Sequence, residues 1–72
     1  MNELKELEKA LPKGWVWEAG NYLRDLSPNY WAQAFGPEVN SVHEHIWGEG
    51  DTLEEAFRDL TKNVRGWKRV TS

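Results

Sequence analysis

Two histidines, His43 and His45, stand either side of Glu44, shortly before Trp47. On an extended backbone alternate side chains leave the same face, so both imidazoles and the Trp47 indole would share one surface and Glu44 would point to the other. Two imidazoles at this spacing can ligate one metal ion. Zinc usually takes three or four protein ligands, however, and the sequence marks no third, so no metal site and no cofactor are assigned. With histidine's reference pKa of about 6.5, the pair would instead give an interface sensitivity to pH. Carboxylates for general acid and base work can be drawn from Glu18, Glu44 and Asp51, yet nothing fixes the distance between them. There is no phosphate loop, no nucleophile elbow, no dinucleotide-binding glycine pattern and no cysteine. A 72-residue chain also keeps little volume for a pocket of about 300 Å³ once its core is built. No catalytic residue is expected, and the chain is read as a non-enzyme.

The richer signal is aromatic. Five Trp, two Tyr and two Phe occur in 72 residues. Trp15 and Trp17 would share a face of one strand, Trp31 and Phe35 a face of a second, and Trp47 the face of the histidines. Leu4, Leu7, Leu11, Leu53, Phe57, Leu60, Val64 and Trp67 already supply a buried layer, which cannot readily accept every indole. Some rings should then remain on an uncovered sheet face, where Trp and Tyr favour partner contact. The competing expectation is that residues 20–29 fold over that face.

Net charge is −3, but its distribution is uneven. Glu38, Glu44, Glu49, Asp51, Glu54 and Glu55 carry residues 38–55 with no Lys or Arg among them, whereas residues 58–69 hold Arg58, Lys62, Arg65, Lys68 and Arg69 against Asp59 alone. Acids before a helix and bases toward its end complement the helix dipole. At 100° per residue Arg58, Lys62, Arg65 and Arg69 fall within about 60° of one another, opposite the apolar stripe. Such a row can track phosphates, although a pI of 5.3 is not the footprint of a nucleic-acid binder.

The elements that must position these residues follow from periodicity. Leu4, Leu7 and Leu11 predict an amphipathic helix over residues 2–11, stopped by Pro12 and Gly14. Residues 15–19 and 30–35 read as strands. A third strand is expected from residue 39 or 41 to 47, ended by the glycines of 48–50, and residues 20–29 as a connecting loop. Thr52 with Glu55 three residues on is a capping-box pattern, and Leu53, Ala56, Phe57, Leu60, Val64 and Trp67 then mark one helical face, with the end placed near residues 65–69 at Gly66. The order is α-β-β-β-α. The expected fold is α+β, a small three-stranded antiparallel sheet with the N-terminal and C-terminal helices packed on one face, in a single domain of residues 1–72. A chain this short buries roughly 60% of its unfolded surface and is marginal alone. With no cysteine for disulfides, an aromatic core or self-association must compensate.

Residues 48–60, GEGDTLEEAFRDL, resemble the strand-to-helix junction of HicB-like antitoxin domains, in which a glycine-bounded turn leads through a Thr cap into a Glu-Glu-Ala helix. The match covers about thirteen residues and the β-β-β-α order upstream. It departs from that family in the N-terminal helix, the Trp content and the first hairpin, which lacks the family's small-residue, glycine-rich end. The resemblance implies a role in binding and neutralising a partner protein, often a small toxin, without catalysis.

The expected function is thus a small protein-binding module acting through an aromatic sheet face, as an antitoxin-like or phage or mobile-element accessory protein, toward another protein or a second copy in a homodimer. Its contact residues are Trp15, Trp17, His43, His45 and Trp47. The alternatives are a nucleic-acid binder using Arg58, Lys62, Arg65 and Arg69, and an inhibitor of a host defence protein whose acidic segment 38–55 imitates phosphate charge. No stretch approaches the ~20 apolar residues of a membrane span and the N-terminus lacks a signal-peptide pattern, so no membrane association and a cytoplasmic location are expected.

Overall fold

The heptad-like leucines, the capping pattern and three β-prone runs all take the form their periodicity dictates. In the computed structural model, which describes residues 2–23 and 25–71, with side chains to residue 68, the chain runs α1 (Asn2–Ala10), β1 (Val16–Asn21), β2 (Tyr30–Phe35), β3 (His45–Gly50) and α2 (Leu53–Thr71). The strands form one antiparallel sheet in the order β1-β2-β3, a meander of neighbours along the chain. It is a small α+β fold of the order α-β-β-β-α.

Register fixes which residues share a face. Trp17, Ala34 and Ile46 lie in one row, Ala19, Ala32 and Gly48 in the next, and these rows face the helices. Helix α2 lies across β3 and β2, and α1 packs beside α2. Leu7, Leu60 and Val64 are the largest fully buried side chains, each worth about 1.5–3 kcal/mol in water exclusion. The small side chains of the sheet let α2 come unusually near. A Cβ on Gly48 would lie 2.4 Å from the Leu60 backbone nitrogen, and one on Gly50 would lie 2.7 Å from that of Ala56, so the helix backbone rests directly on β3.

The junction between β3 and α2 is built from its own polar groups. The Thr52 hydroxyl accepts from the Glu55 backbone N–H at 3.1 Å, and the Glu55 carboxylate accepts from the Asp51 N–H at 3.1 Å, one residue earlier than a reciprocal capping box would place it. Farther along α2, Asp59 accepts from the Glu49 N–H at 3.0 Å and Asn63 donates to the Trp47 carbonyl at 2.6 Å. Being one helical turn apart, these two side chains reach two backbone groups of β3 and seal its outer edge, which would otherwise offer unpaired groups to another strand.

Several boundaries differ from those the sequence suggests. α1 ends at Ala10 rather than residue 11, and β1 spans Val16–Asn21 rather than residues 15–19, so Gly20 and Asn21 belong to the strand and not to the loop. β3 begins at His45 and includes both glycines, because Gly48 and Gly50 are required beneath α2 rather than serving as a stop. Residues 39–42 form a tight turn instead of strand. Val39 and Val42 exchange both backbone hydrogen bonds, at 2.7 and 3.0 Å, around Asn40 and Ser41, whose φ values of 54° and 67° are left-handed. The final helix runs on to Thr71 through Gly66, whose intrinsic cost of about 1 kcal/mol is outweighed by the docked face on either side of it.

Candidate functional site

The face of the sheet turned away from the helices carries three rows of its own. Val16, Phe35 and His45 form the first, Glu18, Gln33 and Trp47 the second, and Gly20, Trp31 and Glu49 the third. Its rings make a continuous chain. His43 meets Phe35 edge-on at 5.6 Å, Phe35 stacks on His45 at 4.9 Å with planes 6° apart, His45 meets Trp47 edge-on at 5.9 Å, and Trp47 stacks on Trp31 at 5.7 Å with planes 9° apart. Tyr22 tilts against Trp47 at 6.5 Å. Trp31 lies over Gly20, where any Cβ would sit 2.7 Å from the indole, so the bare backbone of β1 forms the floor of that ring.

A polar line crosses the middle of the face. Gln33 donates through Nε2 to Glu18, which leaves its oxygen toward His45, 2.8 Å from Nε2. A carboxylate cannot donate, so with the Gln33 amide nitrogen turned to Glu18 its oxygen is the acceptor presented to His45. At the third row the Tyr22 hydroxyl donates to the Glu49 carboxylate at 2.5 Å. These bonds hold side chains that would otherwise be mobile.

The described residues of the loop 22–29 leave Trp47 on this face exposed. The loop closes on itself, Tyr22 N–H donating to the Asn29 carbonyl at 2.9 Å, and Ser27 donates to Asp51 at the end of the sheet. The Tyr22 ring reaches the aromatic chain. Trp47 remains 37% exposed and Val16 61%, while Leu23 and Leu26 on the loop are 91% and 69% exposed, so apolar surface continues past the sheet at that end.

Of the residues singled out as contacts, His45 and Trp47 come together on this open face, and His43 joins them from just outside the strand. Trp15 and Trp17 go to the opposite side. Trp17 meets Phe57 edge-on at 5.2 Å, Trp15 packs on Trp67 at 4.8 Å, and both lie half-buried against the core. The reason is space. Ala32 and Ala34 are too small to fill the layer between β1 and the helices, and the two indoles fill it. Conversely, Phe35, Trp31, Gln33 and Tyr22 belong to the open face, and alternation from Trp47 through the strand pairing is the signal that finds them.

The basic stripe has a different environment from the one the helical projection suggests. Arg58, Lys62 and Arg65 border an open groove of about 280 Å³ between α1 and α2, whose other wall carries Glu3 and Glu6. Arg65 pairs with Glu6 at 3.0 Å, so the stripe is partly neutralised within the molecule. The Arg69 side chain lies outside the described residues. Among the described residues no third His, Cys, Asp or Glu joins His43 and His45 in a group able to hold a metal ion, and no helix is long and apolar enough to cross a membrane. No family model, curated protein or solved structure matches the chain.

Proposed function

We propose that the chain is a non-catalytic protein-binding module that docks its partner on the open aromatic face of the sheet. The observation that carries this reading is the uninterrupted run of rings from His43 to Trp31, with Trp47 stacked and still exposed. Rigid, partly wet indoles are the side chains that gain most when a partner removes the remaining water, and they lose little conformational entropy in doing so. The polar line of Glu18, Gln33 and His45 supplies orientation without forming a pocket, which suits a broad contact rather than a small substrate. The reading is compatible with an antitoxin-like or phage-type accessory role, in which masking a partner is the whole activity, and with a cytoplasmic location.

The test compares retention of a partner from the native host lysate on the immobilised full chain and on three variants. Trp47→Ala should abolish retention with the circular-dichroism spectrum unchanged, and Glu8→Ala, on the far side of α1, should retain it. A partner held equally by Trp47→Ala and by Phe35→Ala would overturn the reading.

A further inference from the structure

We infer that the partner of the open face presents a cationic segment, with arginine or lysine side chains laid over Trp47 and Trp31 and reaching Glu49 and Glu18. The inference rests on the docking face proposed above and adds the chemistry of what docks there.

Three observations carry it. The described residues of the face include the two carboxylates of Glu18 and Glu49 and no Lys or Arg, and from residue 25 to residue 57 the sequence contains no Lys or Arg at all, while Glu38, Glu44 and Asp51 stand at its ends. Both ion pairs among the described residues use Glu6 on α1, and neither Glu18 nor Glu49 is paired with a cation among those residues. Yet both carboxylates are held in place, Glu49 by the Tyr22 hydroxyl and Glu18 by the Gln33 amide. Each of those bonds engages one oxygen and leaves the other available. Fixed carboxylates beside the exposed Trp47 indole are the combination that attracts a guanidinium or ammonium, through charge at the head and the ring quadrupole along its plane.

The same charges argue against a second copy on this face. A two-fold contact of face on face would bring two copies each of Glu18 and Glu49 into one interface with no Lys or Arg among the described residues of the face to offset them, a costly burial of like charge. Contact of this face with the basic groove of another copy is heterologous and would grow into open chains rather than a closed dimer.

The test titrates the full chain with three octapeptides, alternating glycine with arginine, with glutamate or with serine, at about 50 mM salt, where surface charge is only partly screened. Indole and backbone N–H resonances report the site. The arginine peptide should shift the Trp31 and Trp47 indole signals in preference to those of Trp15 and Trp67. Combined Glu18→Gln and Glu49→Gln should weaken it by about tenfold or more, and Glu8→Gln should leave it unchanged. Equal response to the serine or glutamate peptide, or concentration-dependent shifts of the same indoles without peptide, would overturn the cationic partner while leaving a docking face in place. No response of these indoles to any peptide, or binding unaffected by the double variant, would overturn it as well. The Trp47→Ala capture experiment decides the docking reading separately.

Discussion

On the helix side the sheet presents Ala19, Ala32, Ala34, Gly48 and Gly50, whereas on the solvent side it presents Phe35, His45, Trp31 and Trp47. Directly beneath α2 the sheet is thus small, with Trp17, Tyr30 and Ile46 supplying bulk around those positions, whereas a run of large rings crosses the open face. On the covered face smallness is the stabilising property, because it brings the backbone of α2 into contact with β3 and lets Leu60, Val64 and Leu7 close the layer. On the open face the rings stack on one another and on bare backbone, the Tyr22 ring tilts against Trp47, and Trp47 stays exposed. Fold stability therefore concentrates on one side, and the other side is left for contact with a partner.

The strongest way to break this comparison is to enlarge the covered face. In Gly48→Ala the new methyl lies 2.4 Å from the Leu60 nitrogen, a backbone atom that cannot swing away, so α2 must lift from β3. The expected loss is about 3 kcal/mol, at the upper end of overpacking costs. Urea unfolding measures it, and a loss under about 1 kcal/mol would mean that the helix does not rest on this strand.

Two tryptophans sharpen the contrast at equal side-chain volume. Trp17→Ala empties a place beside Phe57 in the core-facing layer and should cost about 3 kcal/mol. Trp47→Ala removes one stacked, one edge-on and one tilted ring contact on an exposed surface and should cost about 1 kcal/mol. Comparable losses in the same denaturation series would show that the open face is structural after all.

The contrast was only partly legible in the sequence. The order of elements was, because leucine spacing, the Thr52 cap and the apolar face of α2 are local signals that tertiary packing only reinforces. Alternation also grouped Trp15 with Trp17 and His45 with Trp47. It could not say which group faces inward, since period two fixes a shared face and not its direction. That direction depends on Ala32 and Ala34 lying beside Trp17 across the sheet, a matter of register. Gly48 and Gly50 misled for a related reason. Glycine is a poor strand residue by its own propensity, and its use here is visible only once a helix lies 19 residues long above it. The Val39–Val42 turn was hidden because Asn40 and Ser41 adopt left-handed backbone without a glycine to announce it.

The edges of the sheet extend the comparison. β3 is sealed by Asp59 and Asn63, which spend side-chain hydrogen bonds on a strand that α2 already overlies. Asp59→Ala or Asn63→Ala should each cost about 1 kcal/mol. The more telling readout is solubility. With both removed, β3 offers free groups to other chains, and light scattering should rise at concentrations where the parent stays clear.

Gly66 gives the smallest effect and the opposite sign. Unlike Gly48 and Gly50 it has no atom within 4 Å of a built Cβ, and no left-handed φ demands it. Gly66→Ala therefore restricts the unfolded chain and favours the helix without meeting a neighbour, and should stabilise by about 0.5–1 kcal/mol. In a domain of this size that raises Tm by about 4 °C. If the glycine is kept so that α2 can bend when a partner binds, the same substitution would instead alter retention of the partner by the open face. Stability rising while retention stays constant would show that α2 serves the covered side alone.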